Sequence, residues 1–97
     1  MQAIRNALDQ NRESRRRNAE RAELQRRFAH LTARERDVLP LIVSGLLNKQ
    51  AAVKLGISEV TLQIHRGNIM KKMQAASLAE LVRIAGTLEI PIAPPAR

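Results

Sequence analysis

Between Glu59 and Met73 the chain places Gln63, Arg66, Asn68 and Lys71, with Ser58 and Thr61 at the front of the stretch and Lys49 upstream. Side chains of these types donate hydrogen bonds or carry positive charge. None supplies a nucleophile with its base, a metal-ligand set or a proton-transfer pair. The chemistry they suit is recognition of an anionic surface that also presents hydrogen-bonding edges, as a nucleic acid does. Catalysis finds no footing. Cysteine is absent, there is no Gly-rich phosphate loop, and His30 and His65 lie far apart with no carboxylate pattern around them. His65 shares a stripe with Leu62, Ile69 and Met73 and reads as a packed structural residue; His30 is given no role. No enzyme activity, metal or cofactor is expected.

Charge narrows the partner. The 97 residues carry 17 Lys and Arg against 9 Asp and Glu, a formal net charge of +8. A balance of that sign favours polyanions: DNA, RNA or an anionic membrane surface. Phe28 is the one aromatic residue, which disfavours binding of single strands by base stacking. No apolar run reaches the roughly 18 residues of a membrane helix, and no secretory signal is visible. Duplex DNA is the favoured polyanion, membrane binding is not expected, and a cytoplasmic location fits a chain without cysteine.

Around these residues the sequence spells two helices joined by a tight turn. The turn is Leu55-Gly56-Ile57-Ser58. Gly56 suits the left-handed end of a helix, because it has no Cβ to clash. Ser58 suits the N-cap of the next, since its hydroxyl accepts an orphan N–H, and Ile57 is an apolar plug between them. The second helix runs from Glu59 to about Met73. In a helix–turn–helix such a helix lies in the major groove. Leu62, His65, Ile69 and Met73 fall on its core face. Gln63, Arg66, Gly67 and Met70 fall on another face, with Val60 and Ile64 beside them.

The remaining elements read from their punctuation. Residues 1–31 hold eight arginines against four acidic residues, with Arg15-Arg16-Arg17 at the centre and no Pro or Gly. They predict one long basic helix over about 2–29. It is either a solvated linker or, through Leu24, Phe28 and Leu31 at 4–3 spacing, a dimerising seam. Thr32 and Glu35 form a capping box for a helix from Ala33, whose apolar face is Val38, Leu39, Ile42 and Val43. Pro40 inside it predicts a kink or loosened turn, and Gly45 ends it. Asn48 is expected to cap the next helix, which carries Ala51, Ala52 and Leu55. Ser77 and Glu80 form a second capping box, opening a helix of Leu78, Leu81, Val82 and Ala85 that Gly86 ends. Pro91, Pro94 and Pro95 predict an extended tail. The fold class is all-α: four short helices behind one long one.

With these elements placed, the chain resembles the LuxR-type DNA-binding domain. The likeness runs through Leu31-Thr32-Ala33-Arg34-Glu35-Arg36-Asp37-Val38-Leu39, Gly45-Leu46-Leu47-Asn48-Lys49-Gln50, Leu55-Gly56-Ile57-Ser58, Thr61-Leu62-Gln63-Ile64-His65-Arg66, Ile69, Lys72-Met73 and Ala79-Glu80-Leu81-Val82. Within that family the wording is similar to FixJ-type response regulators. The resemblance implies three segments. Residues 1–30 would be the end of a receiver-type domain, at Ala3 to Leu8, plus linker; residues 31–88 the DNA-binding domain; residues 89–97 a flexible Pro-rich tail. A natural stand-alone regulator is the alternative. The resemblance also implies sequence-specific binding of duplex DNA by a bacterial transcription regulator, with a receiver domain in the full-length protein and RNA polymerase as a possible partner.

Base contacts are implied around Gln63, Ile64 and Gly67, with Val60 beside them. Gln63 can pair with adenine, and Ile64 or Val60 can meet a thymine methyl. Gly67 departs from the family's longer residue, which either removes a contact or lets the backbone approach the groove. Lys49, Arg66, Asn68 and Lys71 read as phosphate ligands, with Ser58 and Thr61 either phosphate ligands or pure caps. Val53 stands where the family has a polar residue, and Ala51 where it has a larger aliphatic one. The last helix commonly forms the family's dimer contact, which points to Leu78, Val82 and Ala85; ordinary core packing is the alternative. A homodimer on DNA would read an inverted repeat. The rival reading is a non-specific basic nucleic-acid binder, or an interaction module that keeps the helix–turn–helix as scaffold.

Overall fold

A computed structural model describes the backbone of residues 2–91 and the side chains of residues 12–91. Five helices follow in order: α1 Gln2–Ala29, α2 Ala33–Val43, α3 Asn48–Leu55, α4 Glu59–Lys72 and α5 Leu78–Thr87. No strand occurs among the described residues. Of the tail expected at 89–97, residues 92–97 lie outside them, while Glu89 pairs with Arg21 and Ile90 packs against the core instead of belonging to a tail. No described helix is long and apolar enough to cross a membrane.

Three helix starts follow from side-chain oxygens. Thr32 accepts the Glu35 N–H at 3.1 Å, and the Glu35 carboxylate accepts the Thr32 N–H at 2.9 Å, a complete capping box. Ser58 and Ser77 accept the N–H groups of Thr61 and Glu80. The second box is only half made, because Glu80 Oε2 takes its bond from the Ala76 N–H at 3.4 Å. The start of α3 differs from expectation. Leu47, not Asn48, is its N-cap, and the Gln50 carboxamide oxygen accepts the Leu47 N–H at 2.9 Å. Asn48 is thereby free for another task, described below.

The ends of α2, α3, α4 and α5 share one geometry. Gly45, Gly56, Gln74 and Glu89 all adopt positive φ. After each, the next N–H reaches back to a carbonyl of the last turn: Leu46 to Leu41, Ile57 to Ala52, Ala75 to Met70 and Ile90 to Ala85. This Schellman arrangement satisfies carbonyls the helix would otherwise leave orphaned. Gly86 was expected to end α5. It lies inside the helix, and Glu89 takes the left-handed position at φ 56°. Pro40 does not interrupt α2, which is continuous from Ala33 to Val43. A proline inside a helix withholds one N–H, and here the carbonyl left without it is that of Arg36.

The core is one cluster. Val38, Leu39, Ile42, Leu62, Ile69, Met73, Leu81 and Ile84 are all but fully buried. α4 packs against both α2 and α3, and α5 packs against α2. α1 is neither a solvated linker nor a seam at its C-terminal end. Leu24 and Leu31 are each 4% exposed and belong to the core, with Phe28 packed against it. Polar contacts hold the same end. Arg27 Nη1 donates to the Met73 carbonyl at 3.2 Å, closing the end of α4. Arg21 pairs with Glu89 and Arg83 with Glu20, tying α1 to α5. The Arg36 guanidinium lies 5.2 Å from the Phe28 ring centroid. The packed unit therefore begins by Leu24 and extends to Ile90, beyond the 31–88 that the resemblance implied.

Candidate DNA-binding surface

α3, the Gly56 turn and α4 set one helix across another. Ile57 packs on the core between them, as its place in the turn requires. Ser58 closes the start of α4 twice over. It accepts the Thr61 N–H at 3.0 Å, and its hydroxyl donates to Thr61 Oγ1 at 2.9 Å. A helix N-terminus of this kind favours an anion.

Leu62, Ile69 and Met73 seat α4 on the core. His65 lies on the same side and is half-buried; its Nδ1 is enclosed without a hydrogen-bond partner. The opposite side is open. Val60, Gln63, Ile64, Gly67, Asn68 and Lys71 are all exposed. Val60, Ile64, Gly67 and Lys71 follow 4–3–4 spacing, which aligns them in one outward stripe, flanked by Gln63 and Asn68. Lys49 is exposed on the neighbouring α3.

Two residues grouped with Gln63 by the helical pattern fall elsewhere. Met70 is half-buried and packs against the core. Arg66 is half-buried at the margin, and its Nη1 donates to Asn48 Oδ1 at 2.9 Å. That bond ties the first turn of α3 to the middle of α4. It holds the only arginine of α4 beside the stripe rather than on it.

The C-terminal end of α4 is anchored by a pair that helical patterns do not disclose. Lys72 Nζ lies 2.8 Å from Glu35 Oε1, and Glu35 is 3% exposed. Burial pushes the Glu35 carboxyl up; the Lys72 ammonium and the Thr32 N–H outweigh it and hold the group below its ordinary value of 4.5. One carboxylate thus caps α2 and pins α4. The capping box made Glu35 legible, but nothing in the sequence marked Lys72 as its partner.

The three residues expected at a contact between copies separate. Val82 is 39% exposed and Leu78 half-buried. Ala85 is 3% exposed, on the inner face with Leu81 and Ile84, and has no surface to offer. The open face of α5 is instead Ala79, Val82 and Gly86, with Arg83 turned toward Glu20 of α1.

The model of the bacterial regulatory proteins of the luxR family matches residues 29–85. The chain belongs to that family. It is 48% identical over 81 residues to nodulation protein W of Bradyrhizobium diazoefficiens, covering 81% of this chain and 36% of that protein. It is 48% identical over 83 residues to the transcriptional regulatory protein FixJ of Azorhizobium caulinodans, covering 86% of this chain and 39% of that one. The solved structure of response regulator StyR superposes with a TM-score of 0.73 at 44% identity, over 88% of this chain and 45% of that one. The chain therefore matches between 36% and 45% of the length of these relatives. It is a DNA-binding domain of the kind carried by two-component response regulators, and its family is one of transcription regulators, not of enzymes.

Proposed function

We propose that this LuxR-family domain reads an inverted repeat in duplex DNA as a two-fold pair, with α4 of each copy in the major groove. The supporting observation is the outward stripe of α4, left open on a helix whose other side is locked into the core. Gln63, Ile64, Val60 and Gly67 meet base edges. Lys49, Lys71, Asn68, Ser58 and Thr61 meet phosphates and set the register. Arg66 joins them from the margin while Asn48 orients it. The copies pair through Val82, with Ala79 and Gly86 small enough for close helix approach and Leu78 at the edge.

In a longer protein a receiver-type domain, ending at Ala3 to Leu8, governs this pairing. The regulator works in the bacterial cytoplasm, with RNA polymerase as the machinery it addresses. Residues 1–23 supply the end of the receiver-type domain and the linker after it, residues 24–90 the reading domain, and the Pro-rich end beyond them a tail.

Binding titrations on a selected duplex test the division of labour. Gln63→Ala is expected to lose about 1–3 kcal/mol and relax preference at one base pair. Lys49→Ala is expected to weaken all duplexes alike and lower the salt slope by about one. Preference unchanged in Gln63→Ala would remove this residue from base reading.

A further inference from the structure

The outward stripe of α4 is more apolar than binding a polyanion requires. Val60 is 67% exposed and Ile64 is 59% exposed, one turn apart on a helix that already has a full buried face. Neither contributes much to the core, and as β-branched residues neither favours a helix. Gly67 follows on the same stripe. A Cβ built there meets nothing within 4 Å, so nothing inside the domain calls for glycine at this position.

What the stripe lacks is equally informative. Guanine is most often read by arginine or lysine donating to O6 and N7. The one arginine of α4 is held at the margin by Asn48, and Lys71 sits at the far C-terminal end of the stripe. Ahead of Lys71 the stripe and its flanks offer two branched apolar groups, the carboxamides of Gln63 and Asn68, and one bare stretch of backbone. Thymine alone presents a methyl in the major groove, and adenine alone matches a carboxamide through N6 and N7. Val and Ile are short, so they reach a base only if the helix sits deep, and Gly67 removes the side chain that would hold it away.

We infer that the base pairs beneath the centre of α4 are A·T pairs, recognised through thymine methyl groups packed on Val60 and Ile64, with Gly67 permitting the close approach. This rests on the proposed placement of α4 in the major groove and adds what it reads there. The cationic flanks at Lys49 and Lys71 suit the phosphates on either side of such a site.

The test uses the chain and a duplex selected from a random pool. Each thymine of a half-site is replaced in turn by deoxyuridine, which lacks only the C5 methyl. Affinity is expected to fall about fourfold at each contacted methyl and to stay unchanged elsewhere. In Ile64→Ala, a change at an exposed site, the deoxyuridine penalty is expected to vanish at one thymine and persist at the other. Deoxyuridine tolerated everywhere, or selected half-sites with G·C pairs at the centre, would overturn the inference while leaving a sequence-specific reader. A pool that yields no selected sequence would instead overturn the placement of α4 itself.

Discussion

Glu35 joins two tasks in one side chain. Its carboxylate accepts the Thr32 N–H that opens α2 and receives the Lys72 ammonium from the end of α4. Its proton affinity is held low in the fold, so the stability it contributes is present at neutral pH. That stability is lost as pH falls through the folded value, on the acid side of 4.5. Glu35→Gln is expected to cost about 1–2 kcal/mol at neutral pH and to flatten the acid limb of stability measured by denaturant titration. Glu23 is also held low, first by Arg26 and then by Arg27, but on an exposed surface where such pairs contribute little. An acid limb as steep in the variant as in the parent would deny Glu35 this role. At this scale the sequence disclosed chemistry better than direction. Gln63, Ile64 and Lys71 are exposed as their types and spacing suggest. Arg66 and Met70 share a helical face with Gln63 on paper, yet lie nearer the buried edge, because α3 and the core reach further round α4 than its own periodicity reveals.

Elements are legible where a side chain marks the boundary. Thr32, Ser58 and Ser77 start helices because their oxygens replace missing carbonyl partners. Gly45 and Gly56 end them because positive φ costs glycine little. Gln74 and Glu89 end helices with no such mark; tertiary packing sets where α4 and α5 stop. Leu24, Phe28 and Leu31 show the same limit. Their spacing announces an apolar stripe but not what covers it, and it is covered by the domain's own core. Leu24→Ala is therefore expected to destabilise the chain by about 2–4 kcal/mol in denaturant unfolding. A change within about 0.5 kcal/mol, the range of a surface site, would return α1 to a linker.

At the scale of the molecule, the charge of +8 favours association with any duplex, and affinity of that kind falls steeply with salt. Reading is a separate property, proposed to be carried by one stripe on α4 and doubled by a two-fold partner. The measurement that bears on it most directly is a binding titration at several salt concentrations, comparing a duplex selected from a random pool with its scrambled control. The account predicts a selected inverted repeat, bound by two copies and on the order of a thousandfold tighter than the control. Val82→Glu is expected to reduce binding to single copies while leaving the monomer folded. Equal binding to both duplexes, with the salt slope as the sole signature, would contradict the account and leave a basic chain that holds DNA without reading it.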